Sequence, residues 1–106
     1  MSEFSAVIQR LAATIEARKG ADPSSSYTAK LLADGPQRVA KKLGEEAVET
    51  ALAAVSGDKA AIAAESADLI YHWLVLLAAT GVELDAVAEA LEAREGRSGI
   101  EEKASR

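Results

Sequence analysis

This 106-residue sequence contains no cysteine, and aromatic residues make up only 4% of it. Without cysteine there can be no disulfide bond and no thiolate metal site, and the composition is compatible with a reducing cytosol. The shortage of aromatic residues, together with abundant alanine, favours closely packed helices over a sheet. The net charge of −5 argues against a nucleic-acid coat. We therefore expect residues 1–106 to form a single cytoplasmic, all-α domain, with a polar C-terminal tail over 96–106.

Other signatures of function are missing as well. The sequence has no strand-like alternation of useful length, no glycine-rich phosphate loop and no Ser-His-Asp arrangement. Its longest apolar run, 69–79, is interrupted by His72 and is too short to span a bilayer, so we expect no membrane segment. Any hydrolysis would therefore have to use direct attack by metal-activated water.

Hydrophobic periodicity and capping residues predict five helices. An apolar stripe that starts at Phe4 indicates a first helix ending near Lys19, and serines before residue 27 can cap a short second helix. Gly57 suits the C-terminal cap of the third helix, and Asp58 suits the N-cap of the fourth. After the first helix, the predicted ranges are 27–33, about 36–55, about 59–80 and a last helix after residue 81.

Four carboxylates flank the bend between helices three and four at matched separations. Glu49 lies eight residues before Gly57 and Glu65 eight after it, while Glu46 and Asp68 lie eleven residues away on either side. In an antiparallel hairpin equal counts give equal heights, roughly 12 Å and 16 Å from the turn at about 1.5 Å per residue. Residues three apart also share a helix face. The spacing therefore predicts a square of four carboxylates that would bind a metal ion.

Such carboxylate pairs are more often a solvated helix surface, and that alternative stands beside the metal site. Against it, the neighbouring residues on both helices are apolar, and four close negative charges repel one another unless a cation joins them. Carboxylates without cysteine ligands suit a hard cation such as Mg²⁺, or Mn²⁺ in its place. The absence of an ExxH pattern argues against a di-iron carboxylate bundle.

Helix four is apolar nearly all round between residues 69 and 77. A helix that is apolar on all sides is buried on all sides, and a five-helix domain of this size can hardly surround it alone. We therefore expect a homodimer with Trp73, Leu76 and Leu77 at or near the interface, or in the core beneath it. A well-covered monomer core is the alternative.

Basic residues gather just upstream of the carboxylates and at the end of the chain. A polyphosphate carries more charge than one Mg²⁺ neutralises, so it requires such cations beside a metal–carboxylate site. Lys42 lies fifteen residues before Gly57 and His72 fifteen after it, one turn beyond the carboxylates. The alternatives are a surface ion pair of Lys42 with Glu46 and an ordinary packed role for His72.

Several segments of the sequence resemble the phosphoribosyl-ATP pyrophosphohydrolases, the family that supplies the second enzyme of histidine biosynthesis. They are SYTAKLLADGPQRVAKKLGEEAVETALAA, ESADLIYHWLVLLA and the ending REGRSGIEEKASR, which together cover about 26–106. EExxE followed after fifteen residues by ExxD matches the metal motif of the wider, all-α MazG-like nucleotide pyrophosphohydrolases. The SYTAKLL segment and the SGIEEKASR ending are more specific and select the histidine-pathway family.

The resemblance implies an all-α, MazG-like fold of four to five helices around a central antiparallel hairpin, in a dimeric bundle. It also implies Mg²⁺-dependent hydrolysis of phosphoribosyl-ATP to phosphoribosyl-AMP and pyrophosphate. Glu49 is the first candidate to accept the proton of the attacking water, and Glu45 is the second. The residues that match the metal motif are Glu46, Glu49, Glu65 and Asp68. The candidate phosphate contacts are Lys30, Arg38, Lys42, Arg97 and Lys103.

Two rival functions remain open. A housecleaning enzyme of the MazG-like class could hydrolyse ordinary or damaged nucleoside triphosphates with the same carboxylates. A catalytically silent helical dimerisation module could carry the same acidic residues as mere surface. The first differs in substrate, and the second would release no pyrophosphate when supplied with Mg²⁺.

Overall fold

The computed structural model describes residues 2–96, which form five α-helices and, within that range, no strand. The all-α class expected from the sequence is therefore confirmed. The first helix ends two residues before the position expected from its periodicity. The helices are α1 (Ser2–Ala17), α2 (Tyr27–Asp34), α3 (Pro36–Ser56), α4 (Lys59–Thr80) and α5 (Leu84–Glu92).

The turn between α3 and α4 folds the two longest helices into an antiparallel hairpin. Gly57 has φ +77°, a left-handed conformation that glycine adopts without steric cost, and its backbone N–H donates to the Ala54 carbonyl oxygen. Asp58 then caps α4, because its Oδ1 accepts hydrogen bonds from the N–H groups of Ala60 and Ala61 at 3.0 and 3.2 Å. Both cap assignments made from the sequence are confirmed. They bring α3 and α4 together along their lengths, and this is the most extensive helix pair in the fold.

The buried core lies at the end of the hairpin away from this turn, where α1 and α2 cover it. Helices α1 to α4 contribute its buried residues, which are Ile15 from α1, Leu31 from α2, Val39 from α3, and Leu74 and Val75 from α4. Each of these side chains is at most 3% exposed. The turn-proximal half of the hairpin therefore extends beyond the core, and the predicted metal motif lies on this extension.

Helix α4 is long and apolar enough to cross a membrane by length and composition alone, with a mean hydropathy of 1.3 over its best window. In this fold it is instead the helix that α1, α2 and α3 all contact. Trp73, Leu76 and Leu77, which we expected at a subunit interface or in the core beneath it, are half-buried against the described part of the chain. The described part of the chain covers these three side chains only partly, and the homodimer stays a prediction.

Candidate metal and phosphate site

Three of the four motif carboxylates meet across the hairpin. One carboxylate oxygen each from Glu46, Glu49 and Glu65 lies within 4.8 Å of the other two. Glu46 and Glu49 come from one face of α3 and Glu65 comes from α4, where it stands at the height of Glu49. Their exposure differs, because Glu46 is buried, Glu65 is half-buried and Glu49 is exposed. The structure thus forms an acidic group that is closed on the Glu46 side and open to solvent on the Glu49 side.

Thr50 connects the two helices at the height of these carboxylates. Its Oγ1 lies 2.8 Å from the Glu46 carbonyl oxygen in its own helix and 3.1 Å from the Glu65 carbonyl oxygen in α4. The hydroxyl has one proton to donate, so the two oxygens share it. The hydrogen bond to Glu65 crosses the hairpin and sets the register in which Glu65 faces Glu46.

The electrostatics of Glu65 reflect the crowding of negative charge. Burial raises the pKa of its carboxyl group above the usual value, and the neighbouring charges of Glu49, Asp68 and Glu46 raise it further, in that order. The protonated form is favoured because the ionised form is partly desolvated and lies beside like charges. Such a group becomes less costly to ionise when a cation lies among the carboxylates.

Asp68, the fourth motif residue, is exposed and lies outside the group of three. It remains near enough to act on Glu65, and its backbone is tied to the site through His72. The His72 Nδ1 lies 2.7 Å from the Asp68 carbonyl oxygen. A carbonyl can only accept, so Nδ1 carries a proton and donates it. The neutral ring then uses Nε2 to accept the Tyr27 hydroxyl proton at 3.1 Å. His72 is therefore a buried histidine that joins α2 to the metal motif.

Lys42 borders the acidic group from α3 but pairs with a different residue than the one weighed from the sequence. Its Nζ lies 3.1 Å from Glu45 Oε1 rather than beside Glu46. The hydrogen bond to Glu45 raises the pKa of Lys42, and electrostatic interactions with Tyr27, Glu45 and Glu46 raise it further. The same pair lowers the pKa of Glu45. Glu45 is thereby a weaker proton acceptor than an isolated carboxylate, and it does not belong to the group of three.

The remaining candidate phosphate contacts are dispersed. Lys30 is exposed on α2, where its Nζ lies 3.5 Å from Asp34 Oδ2. Arg38 is exposed in the first turns of α3, on the side where its charge contributes to lowering the pKa of Glu45. Arg97 and Lys103 lie outside the described residues. Among the candidates within 2–96, Lys42 is the one that the structure brings to the border of the carboxylates.

Sequence reasoning gave no role to a second group of residues that supports this border. Tyr27 stacks on Tyr71 with ring centroids 6.4 Å apart, and both rings meet His72 edge-on. Thr28 and Tyr71 share a hydrogen bond between their hydroxyl groups. Two of these residues, Tyr27 and Thr28, belong to the SYTAKLL segment. The signal that could have revealed the group is that polar aromatic residues are scarce in this chain yet occur on both α2 and α4.

The donor set fits a hard divalent cation. Carboxylate oxygens are the ligands that Mg²⁺ and Mn²⁺ prefer. Adjacent oxygens in an octahedral Mg²⁺ site lie about 3 Å apart, since each bond is about 2.1 Å long and the bonds meet at right angles. The three oxygens, already within 4.8 Å of one another, need to move by about 1 Å each to share one ion. Glu46, Glu49 and Glu65 are thus the residues that would hold it, with Asp68 beside them.

Comparison with known proteins shows the family of this chain. The family model described as phosphoribosyl-ATP pyrophosphohydrolase matches residues 8–95. The phosphoribosyl-ATP pyrophosphatase of Caulobacter vibrioides (strain NA1000 / CB15N) is 76% identical over 100 residues, covering 94% of this chain and 92% of the relative. The protein of the same name from Caulobacter sp. (strain K31) is 67% identical over 106 residues, covering 100% and 98%. That of Cereibacter sphaeroides (strain ATCC 17029 / ATH 2.4.9) is 64% identical over 100 residues, covering 94% and 97%. The chain therefore belongs to the phosphoribosyl-ATP pyrophosphohydrolase family and is a hydrolase.

Proposed function

We propose that this protein hydrolyses phosphoribosyl-ATP to phosphoribosyl-AMP and pyrophosphate with Mg²⁺, as the second step of histidine biosynthesis. The observation that carries the proposal is the meeting of Glu46, Glu49 and Glu65 across the hairpin of a chain that belongs to this family. The names of the relatives support the substrate. We expect the enzyme to act in the cytoplasm as a homodimer.

The residues divide the chemistry between them. Glu46, Glu49 and Glu65, assisted by Asp68, would hold the cation and place it against the phosphates. When bound, Mg²⁺ supplies charge stabilisation to the leaving pyrophosphate and helps to activate water. The water oxygen attacks the α-phosphorus, the bond from that phosphorus to the oxygen bridging to the β-phosphorus breaks, and a carboxylate accepts the proton of the water. Glu49 suits that role because it is exposed and is clustered with the other ligands, whereas Glu45 is engaged by Lys42.

Lys42 contributes to binding the polyphosphate. Its ammonium group lies one helical turn from Glu46 on the same helix, so it can meet phosphate charge that the cation leaves over. In the free protein Glu45 holds the ammonium group at 3.1 Å. An exposed ion pair of this kind is weak, so an incoming phosphate can replace Glu45 at little cost.

The test is to incubate the protein with phosphoribosyl-ATP and Mg²⁺ and to follow phosphoribosyl-AMP and pyrophosphate. Glu49→Gln and Asp68→Asn are expected to keep the helical content and to lose nearly all turnover, because both lower metal affinity. The control is Glu89→Gln, which removes one exposed negative charge from α5 and should leave turnover unchanged. Near-normal turnover of Glu49→Gln and Asp68→Asn at moderate Mg²⁺ would rule out the metal site.

A substrate panel decides between the proposal and its rivals. ATP and other nucleoside triphosphates are offered at the same concentration as phosphoribosyl-ATP. Preference for phosphoribosyl-ATP supports the histidine-pathway assignment, whereas equal or faster hydrolysis of ordinary triphosphates indicates a housecleaning enzyme. If the protein releases no pyrophosphate from any of these substrates, the result supports the catalytically silent dimerisation module.

A further inference from the structure

Tyr27 is a half-exposed aromatic residue that is held rigidly at the border of the acidic group. Its side chain is 52% exposed although its hydroxyl donates to the buried His72 Nε2 at 3.1 Å. Its ring stacks on Tyr71 and meets His72 edge-on at 6.0 Å. Contacts of this kind fix both the position and the tilt of an aromatic ring. The exposed part of Tyr27 is therefore held in a defined orientation.

The position of this surface follows from its partners. His72 lies one helical turn beyond Asp68 on α4 and bonds to the Asp68 carbonyl oxygen at 2.7 Å. Lys42 lies one turn beyond Glu46 on α3. The Tyr27 hydroxyl thus meets His72 at a height about 6 Å beyond Asp68, at about 1.5 Å per residue, and Lys42 stands at the same height on α3. A single ribose separates the base of a nucleotide from its α-phosphate by a distance of the same order.

Anchoring α2 to the hairpin does not by itself account for this tyrosine. Ala29 and Leu31 of the same helix are each 2% exposed and already fasten α2 to the core. Thr28 adds a hydroxyl contact to Tyr71. An anchoring ring would gain most by being buried, since its apolar area is the larger part of its energetic contribution. Tyr27 instead uses its hydroxyl for a hydrogen bond to His72 and leaves about half of its surface exposed to solvent.

We propose that the exposed ring of Tyr27 is a stacking surface for the purine of the nucleotide whose phosphates bind at the carboxylates and Lys42. This inference rests on the proposed function and deepens it by naming the residue that recognises the base. The Tyr27–His72 hydrogen bond and the Tyr71 ring act as positioning elements that hold the surface in place. Stacking on an aromatic side chain tolerates any base, so Tyr27 adds affinity for a ring and not for a particular base edge.

The experiment compares a ligand that has a purine with one that has phosphates alone. The Michaelis constant for phosphoribosyl-ATP and the inhibition constant of inorganic tripolyphosphate are measured at fixed Mg²⁺ in the full-length protein. Tyr27→Leu removes the aromatic ring, and Tyr27→Phe keeps the ring but removes the hydroxyl. Phe4→Leu is the control, because Phe4 is also an exposed aromatic residue, 58% exposed, on α1 outside the acidic group. Thermal unfolding of each variant checks that it folds.

Tyr27→Leu should raise KM about 5- to 150-fold, the range that loss of one base–aromatic stack corresponds to, with a smaller change in kcat. Its inhibition constant for tripolyphosphate should stay within about twofold of the parent value, since that ligand has no ring to stack. Tyr27→Phe should raise KM less than Tyr27→Leu does, because it keeps the ring and loses only the hydrogen bond that positions it. Phe4→Leu should leave both constants near those of the parent.

Two results would overturn the inference. If both constants rise together in Tyr27→Leu, or neither changes, the ring is an anchor of α2 and not a stacking surface. If Tyr27→Phe loses as much affinity for phosphoribosyl-ATP as Tyr27→Leu, the hydroxyl is responsible and not the ring. A parent protein that does not hydrolyse phosphoribosyl-ATP would instead refute the proposed function, so the two failures are distinguishable.

Discussion

Thr50→Val tests whether the register of the acidic group depends on a single hydroxyl. The Thr50 Oγ1 lies between the carbonyl oxygens of Glu46 and Glu65, at 2.8 and 3.1 Å. Valine has nearly the same shape and the same β-branching, so it preserves packing and helix propensity while it removes the donor. The substitution therefore isolates the hydrogen bond that crosses the hairpin.

The expected decrease in the free energy of unfolding depends on what replaces the hydrogen bond in Thr50→Val. Both carbonyl oxygens also serve as acceptors in their own helices, so Thr50→Val leaves no buried acceptor without a partner. A hydrogen bond of this kind contributes about 0.5–1.5 kcal/mol net, and the half-buried valine methyl group offsets part of its loss. We expect a free energy of unfolding lower by about 0.5–1 kcal/mol. For a domain of about 100 residues this lowers Tm by about 2–8 °C.

The functional consequence is expected in Mg²⁺ dependence. A looser register lets Glu65 shift relative to Glu46, so the ligands must be ordered when the ion binds. If the whole of about 1 kcal/mol appears in metal affinity, the half-saturating Mg²⁺ concentration rises about fivefold. The assay combines thermal unfolding followed by circular dichroism with the Mg²⁺ dependence of phosphoribosyl-ATP turnover.

Thr50→Ser is the matched control, because it keeps the donor and removes the methyl group. It should retain the Mg²⁺ dependence of the parent protein, whatever it costs in packing. The reasoning is refuted if Thr50→Val matches the parent in both Tm and Mg²⁺ dependence. It is equally refuted if Thr50→Ser reproduces the shift in Mg²⁺ dependence, since the methyl group would then be the cause.

Three further predictions concern other parts of the molecule. Gly44→Ala should stabilise the protein by about 0.5–1 kcal/mol, because Gly44 lies inside α3 and an added Cβ meets nothing within 4 Å. The gain should appear as a higher Tm, and an unchanged or lower Tm would contradict the prediction. Glu65→Gln should be more stable than the parent in metal-free buffer above pH 4.5, the ordinary pKa of glutamate. The raised folded-state pKa of Glu65 favours the folded state at low pH, and that stability is lost as pH rises through it. The advantage of the variant over the parent should therefore grow with pH, and a constant difference in pH-dependent melts would refute the argument. Sedimentation at micromolar concentration should show a species of about twice the 11.0 kDa chain mass. The reason is that Trp73, Leu76 and Leu77 of α4 are only half-buried within the described chain. An active monomer would refute the dimer.

The sequence by itself determined the helices, the turn and the heights of the carboxylates. Hydrophobic periodicity and capping residues are local properties, so Gly57 and Asp58 were sufficient to locate the bend. Once the bend is known, the constant rise per residue of a helix places Glu49 opposite Glu65 without further information. The resemblance to the phosphoribosyl-ATP pyrophosphohydrolases likewise came from the sequence alone and agrees with the family match.

Only the tertiary structure decided how the side chains are paired around those positions. Residue counts along the hairpin predict that Asp68 is a metal ligand just as Glu65 is. In the structure, however, Asp68 is exposed and lies outside the group of three. Helical spacing permits Lys42 to pair with either Glu45 or Glu46, and the structure selects Glu45. The rotation of α4 about its axis decides which of its carboxylates faces α3, and packing across the whole core sets that rotation. The pairing within α3 is decided by the conformation of the Lys42 side chain, because all three residues are on one helix.

The support that α2 gives to the site could not have been derived from the sequence pattern. Tyr27 and His72 are 45 residues apart and meet through a hydrogen bond at 3.1 Å. Periodicity shows which face of α2 is apolar but not where that short helix lies on the hairpin. Its placement depends on burying Leu31 against residues of three other helices. Local sequence thus determines the positions of the charges along each helix, whereas long-range packing determines which groups surround them, because no local rule fixes how one helix lies on another.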